Sequence, residues 1–392
     1  MTLSPLERLP LINENKYFEK LSLTNKLNVA GRVIRSIGLG YEVYLPNAKI
    51  GSLCEILLEG EVKNGRTVNA EVVGFSDQMA VIVPFDDVRG IGHQSLVYVT
   101  QENPTLEVGD YLLGKVIDPN GNFINDNITD IDCKKSVKQP IYPNKVNPIK
   151  RKLIEEPIDL GIKAINSLMT CGKGQRMGIF AGAGVGKSIL LGMVARNTSA
   201  DVNVIALIGE RGREVREFIE HNLGEEGLKR SVVVVATSDM SPLLRMRGCF
   251  IAATIAEYFR DKGDDVLFLM DSLTRFSMAQ REVSLSLGEP PATKGYTPSV
   301  FSTIPKVLER AGTTEGKGSI TGIYTVLVEG DEMDDPIADT SRAVLDGHII
   351  LSRKLAEKNH YPAIDVLQSK SRVMDQVLEK RHIENEGIIK EL

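Results

Sequence analysis

The chain runs to 392 residues, 42% of them apolar and 25% charged, the balance of a soluble globular protein with room for two or three domains. A net charge of −5 gives no support to binding nucleic acid by bulk charge, and no apolar run approaches the length of a bilayer span. Cys54, Cys133, Cys171 and Cys249 lie far apart without a CxxC pair, which excludes metal-site spacing and leaves scattered reduced thiols of a cytoplasmic protein.

The opening stretch "MTLSPLERLPLINENKYFEK" lacks a basic start followed by unbroken apolar residues, so no signal peptide is expected. Within residues 1–24, Leu3, Leu6, Leu9 and Leu11 line at most a short helix, because Pro5 and Pro10 interrupt it. Residues 25–92 read as β structure. The short apolar stretches "NVAGRVIRSIG", "YEVYLPN", "VNAEVVGF" and "MAVIVPF" recur with Gly, Asn, Asp or Pro between them, the pattern of a small barrel or sandwich. The Lys- and Pro-rich stretch from 134 to 157 reads as an extended connector on a surface.

Beyond the connector the period changes. "RMGIF", "VNVIALIG", "SVVVVAT" and "DVLFLMD" are nearly uninterrupted in apolar residues, as strands covered on both faces of a parallel sheet must be. Helical stretches separate them; the clearest is "SPLLRMRGCFIAATIAEYFRDKG", with Ser241 placed to cap and Pro242 in the first turn. Strand and helix alternate, which implies an α/β fold with right-handed crossovers. "SITGIYTVLVEG" and "DGHIILSRKLAEK" extend it towards residue 360. The expected division is an N-terminal segment 1–24, a β-barrel domain 25–92, an α/β core 93–374 that includes the connector, and a weakly helical tail 375–392, in which Gly387 disfavours packing.

"AGAGVGKS", residues 181–188, fits the phosphate-loop pattern GxxxxGK[ST] with Ala181 in place of the first glycine. Backbone N–H groups across Gly182, Ala183, Gly184, Val185, Gly186 and Lys187 can turn inward around phosphate oxygens, and the helix that follows adds its positive end. Lys187 supplies a point charge for the β and γ phosphates of a nucleotide, and the Ser188 hydroxyl can ligate Mg²⁺. The bland alternative is a glycine-rich strand-to-helix turn without a ligand; the apolar strand before and apolar helix after are the context that the phosphate-loop motif requires.

Two carboxylates sit where neighbouring strands end. Asp271 closes "VLFLMD" and so falls on the edge of a parallel sheet where ligands bind, placed to hold the Mg²⁺ water shell beside Ser188. Glu210 leaves its strand through Gly209 towards the same edge. Spacing alone leaves two accounts of Glu210: a base that orients and deprotonates the attacking water, or an ion-pair partner of a neighbouring arginine. Arg211 is placed to contact phosphate; Arg213 and Glu214 are expected to face the following helix.

Together "AGAGVGKS", "LIGERGREV", "LFLMDSLTRF", "GEPPATKGYTPSVF", "DPIADTSRAVLDGHIILSRKLAEKNHYPAIDVL" and "SKSRVMDQV" resemble the flagellar and type III secretion export ATPases, relatives of the catalytic β subunit of rotary ATP synthases. The resemblance runs from about residue 25 to about 380, and is closer to the flagellar branch in "ATSDMSPLLRMRG" and "GEPPATKGY". It implies a RecA-like P-loop ATPase core with an N-terminal β-barrel and a helical C-terminal domain. It implies roles as well: Lys187 and Ser188 for phosphate and Mg²⁺, Glu210 as catalytic carboxylate, Asp271 as the acid of the second nucleotide motif and Arg211 near the γ phosphate. Tyr361 matches the residue stacked on adenine, and Arg372 matches the arginine finger that enters a neighbour's site. The family further implies Mg-dependent ATP hydrolysis that powers protein export, a homohexamer and a cytoplasmic location at the inner-membrane export gate. Its partners are a regulatory stator protein met by the N-terminal segment, a central stalk protein, and export substrates with their chaperones, with no nucleic acid.

Family members continue well past "SRVMDQV", whereas this sequence stops at Leu392, so the region 375–392 is expected to be a truncated helical region, either of a naturally shortened product or of a fragment. The loop Gly288 to Phe301 is expected to be a restricted connection bordering the ring's pore with Lys294 on it, and "DDPIADTSR" to be hinge material. A virulence-system ATPase, an RNA-translocating hexamer and a non-catalytic ring subunit are the alternatives; the acidic balance and the lack of Trp oppose the second, and Glu210 opposes the third.

Overall fold

The computed structural model describes residues 30–58, 66–86, 89–124, 136–328 and 335–391. The expected N-terminal segment and Cys133 lie outside these residues.

Six antiparallel strands close a barrel: β1 (Gly31–Ile37), β2 (Gly40–Tyr44), β3 (Leu53–Leu57), β4 (Thr67–Ser76), β5 (Met79–Pro84) and β6 (Leu96–Gln101), in the order β1-β2-β5-β4-β3-β6. Alternate residues point inward, so Val33, Val43, Ile56, Val72, Ile82 and Val97 fill the centre. The boundary expected at 92 falls before β6, whose pairing with both β1 and β3 closes the barrel. Only Val97 of that strand is fully buried, which is why its sequence carries a weak signal.

Strand β7 (Thr105–Val108) pairs with β9 (Val137–Pro140), so the connector is extended as expected, with one stretch built into a two-stranded sheet. Next to it the barrel is fastened to the core. The Tyr142 hydroxyl donates to Glu71 of β4 at 2.8 Å, and Arg247 lies 3.3 Å from the same buried carboxylate. A cavity of about 860 Å³ opens at this junction, between β4, the connector and three core helices, and takes no residue from the phosphate loop.

The core is a nine-stranded sheet. Its strands are β8 (Val116–Ile117), β12 (Arg176–Ala181), β13 (Val202–Ile208), β14 (Ser231–Ala236), β15 (Asp265–Asp271), β17 (Ser319–Leu327), β18 (Gly347–Leu351) and β19 (Ile364–Ser371), with β16 (Gly312–Thr313) beside β17. The order is β19-β18-β12-β17-β15-β13-β14-β8; β19 and β16 are antiparallel and the other pairings are parallel. Minor strands β10 (Pro157–Ile158) and β11 (Cys171–Gly172) pair separately. Each central strand is buried on both faces. Val204, Ala206 and Ile208 of β13 join one core with the helix Pro242–Lys262, while Ile205 and Leu207 join the other with the helix Lys187–Asn197. At about 1.5–3 kcal/mol for each such side chain, this double burial anchors the sheet. Ser241 caps the longest helix, accepting from the Leu244 N–H at 3.3 Å, and Gly263 ends it at φ +114°.

Two expectations change in the second half of the core. The stretch after Gly288 makes a short turn with Lys294 at φ +49°, but from Pro298 it is the helix Pro298–Leu308. "DPIADTSR" is helical: the Asp335 carboxylate accepts from the N–H groups of Ile337 and Ala338 and caps a helix, Pro336–Val344. An Asp followed by Pro is a helix start, and that signal outweighs the loop-like composition. The tail forms the helix Lys380–Glu391 without a buried residue, its His382 Nε2 lying 2.8 Å from the Ser167 carbonyl oxygen. No helix among the described residues is long and apolar enough to cross a membrane. Cys54, Cys171 and Cys249 are free and buried, and burial pushes each thiol up to about 12.

Candidate active site

The carboxyl ends of β12, β13, β15 and β17 bring the site together. β12 ends at Ala181, and the chain turns through Gly184 at φ +77° and Gly186 at φ +87° into the helix that begins at Lys187. Only glycine takes such angles without strain. Buried Val185 pins the loop to the core, while Ala183, Gly184 and Ser188 face outward. A side chain at Gly186 would meet the ring of Tyr361 at 3.4 Å, so that half-exposed aromatic sits directly against the phosphate loop.

Lys187 reaches across β17 and donates to Asp271 Oδ1 at 2.5 Å and to Glu210 Oε1 at 3.4 Å. Burial alone would lower the Lys187 ammonium; the charges of Asp271 and Glu210 outweigh it and raise it. Thr325 of β17 donates to the same Asp271 oxygen at 2.7 Å. Glu210 follows Gly209, whose φ of +73° turns the chain off β13; a side chain there would strike Arg275 Cβ at 2.8 Å. Burial first, and then the neighbouring Asp271 charge, push the Glu210 carboxyl up to about 7, against the pull of Lys187. A hydrogen bond from Glu210 and the adjacent Arg211 guanidinium hold Glu214 below its ordinary range.

Five of the expected residues, Gly186, Lys187, Glu210, Asp271 and Tyr361, are thus adjoining, with Gly182 to Val185 and Ser188 completing the loop. The Glu210 carboxylate pairs with Lys187, not with a neighbouring arginine. Arg211 lies outside the cluster, largely exposed and donating to Glu214 at 3.1 Å, so Glu214 turns towards the site instead of the following helix. Arg372 is also apart. Ser371 is opposite Gly347, which is opposite Met177, four residues short of Ala181. That places Arg372 about 13 Å of strand away from the phosphate loop, at the opposite edge of the sheet. Ile364, at the other end of β19, aligns with Leu351 and so with Ala181; Tyr361 precedes it. Sequence reasoning overlooked Thr325 and Arg275. The Arg275 Nε is buried without a hydrogen-bond partner, and its position four residues after Asp271 on the helix Leu273–Ser286 was the available signal.

A glycine-turned loop with a buried lysine, a strand-end aspartate and a carboxylate of raised pKa define a nucleotide hydrolase of the P-loop class. Residues 161–371 match the model for the ATP synthase alpha/beta family, nucleotide-binding domain, and residues 29–101 the model for that family's beta-barrel domain. The flagellum-specific ATP synthase of Bacillus subtilis (strain 168) is 50% identical over 372 residues, 95% of this chain and 84% of that protein. The assembled ATPase EscN from the type III secretion system of enteropathogenic E. coli has TM-score 0.84 and 45% identity, covering 92% of this chain and 85% of that one. EscN in complex with its central stalk EscO has TM-score 0.82 and 44% identity, with the same coverage. The chain belongs to the ATP synthase alpha/beta family and, within it, to the flagellar and type III secretion export ATPases. It is an ATP hydrolase.

Proposed function

We propose that this ATPase hydrolyses Mg·ATP in a homohexameric ring and powers protein export through a flagellar-type apparatus. The observation that carries the reading is Lys187 clamped between Asp271 and Glu210 beside the phosphate loop. A buried ammonium with two carboxylates holds the charges of a nucleotide site in a closed, self-paired form. Arriving phosphates take over Lys187, and Asp271 becomes available to a cation.

The donor set suits Mg²⁺: one buried carboxylate and one hydroxyl, Ser188, with no cage of three or more His, Cys, Asp or Glu among the described residues, match an ion that keeps waters and substrate phosphates as most of its ligands. When bound, Mg²⁺ supplies charge neutralisation to the β and γ oxygens. The backbone of Gly182 to Lys187 cradles the phosphates, and Tyr361 stacks on adenine. Glu210, ionising near neutral pH, takes the proton of the attacking water. Arg211, once drawn off Glu214, approaches the γ phosphate.

Arg372, at the far edge of its own sheet, serves the phosphates of the neighbouring copy. Identical head-to-tail contacts then complete every site around a closed ring. A central stalk like the one EscN binds, a regulatory stator protein, export substrates with chaperones and the membrane export gate are the partners, and RNA is not. Replacing Glu210 tests the chemistry: E210Q should retain ATP in equilibrium binding while turnover falls by about 10²–10⁴. Turnover within a factor of two of the parent would move the base elsewhere.

A further inference from the structure

At the edge of the sheet away from the phosphate loop, three cations gather without an anion. Arg342, Lys370 and Arg372 all bear on His348, which burial and then these charges keep below its ordinary range. Lys370 is directly opposite His348 in the β18–β19 ladder. Among the described residues no carboxylate pairs with any of the three, while nearby Asp346 is taken by Arg176.

Within this group Arg342 and Arg372 are joined. The helix Pro336–Val344 ends here, and the Arg342 carbonyl, one of the last-turn acceptors that a helix leaves open, receives the Arg372 guanidinium at 3.2 Å. The negative end of the helix dipole favours a cation at that position. The Arg372 backbone N–H is tied to Asp346 O at 2.9 Å. The helix end is itself held by the Arg342 side chain, whose guanidinium lies over the ring of Phe180, 5.4 Å from its centroid, with Nε and one terminal nitrogen buried and unpartnered. Those two nitrogens face the protein interior, which leaves the guanidinium seated on the ring. Phe180 belongs to β12, immediately before Ala181.

We propose that Arg342 is a positioning residue for Arg372: its cation–π seat on Phe180 fixes the helix end whose carbonyl aims the Arg372 guanidinium at the neighbouring copy. A residue that acts this way matters only while Arg372 is present. The proposal rests on the reading of Arg372 as a residue acting in the adjoining site, and the two can fail separately.

The test is a double-mutant cycle on the assembled ring, with ring mass checked for each variant. R342A should lower kcat by between about ten- and a hundredfold, the effect of a misplacement of about 1 Å, with the ATP KM changed less than twofold. R342K keeps a cation over Phe180 and should recover most of the loss. In the R372A background, R342A should change kcat by less than twofold. An equal loss in both backgrounds, or an unchanged kcat for R342A where R372A is impaired, overturns the inference. An unimpaired R372A overturns the underlying reading instead. Should R342A not assemble, R342Q, which keeps the side-chain length without the charge, carries the same cycle.

Discussion

The two edges of the central sheet have opposite electrostatic characters. At the carboxyl edge, Lys187 is paired with both Asp271 and Glu210, all three largely buried, with a hydroxyl from Thr325 on Asp271. At the amino edge by β19, Arg342, Lys370 and Arg372 lie together with no carboxylate among the described residues to balance them. On the proposed reading, one edge is complete in a single chain and exchanges partners when a polyphosphate enters. On the same reading the other is half of a site, with its charge placed for an anion of the neighbouring copy. A single strand bridges the two, since β19 has Tyr361 just before its start at the phosphate loop and Arg372 just after its end.

The largest expected effect breaks the comparison outright if it is absent. R372A should reduce ATP turnover by about 10³–10⁵, although the residue is about 13 Å of strand from its own phosphate loop. Mixing R372A chains with E210Q chains should restore part of the activity, because a ring position with an intact Glu210 then receives Arg372 from an E210Q neighbour. No recovery, measured as turnover against mixing ratio, would mean that both residues serve the same chain. By the same logic, specific activity of the parent protein should rise steeply with protein concentration over the range in which the ring forms.

A second prediction sharpens the account of the closed edge through pH. The Glu210 carboxyl is raised from its ordinary value to about 7. Its proton is therefore bound more tightly in the folded chain than in the unfolded one. The associated stability is fully present below the unfolded pKa of about 4.3 and is lost as pH rises through about 7. The nucleotide-free parent should thus lose up to about 3 kcal/mol relative to E210Q between pH 4.5 and pH 8. Denaturant midpoints at the two pH values measure this; parallel pH dependence in parent and E210Q would refute the raised carboxyl.

Much of this was legible in the residues. The phosphate loop, both carboxylates and the strand–helix alternation carry local signals of spacing and apolar pattern, and each dictates backbone geometry within a few residues. Barrel closure was not legible at β6, because its burial depends on β1 and β3 (far off in sequence) and only Val97 is wholly enclosed. Nor did the residues reveal that Glu210 pairs with a lysine 23 positions earlier, or that Arg211 turns to Glu214. Side-chain partners across a sheet depend on strand order, which periodicity does not specify. Tyr361 and Arg372 would have passed for ordinary residues without family resemblance; the register of β19 supplies a physical reason to separate their roles.

The smallest predicted effect is the most direct measure of that separation. Tyr361 borders the loop of its own chain, so Y361A should raise the ATP KM by the loss of one stacked base, about 1–3 kcal/mol or roughly fivefold to 150-fold, while kcat at saturation stays within about twofold. Y361F should behave as the parent, because stacking uses the ring and not the hydroxyl. Rings that mix Y361A with parent chains should show two independent populations of sites, weak and normal, since no neighbour supplies the missing ring. R372A defects should pass to the next position around the ring and Y361A defects should remain where they are. A Y361A weakness repaired by parent neighbours would place the two ends of β19 in the same site, and the contrast between the edges would be lost.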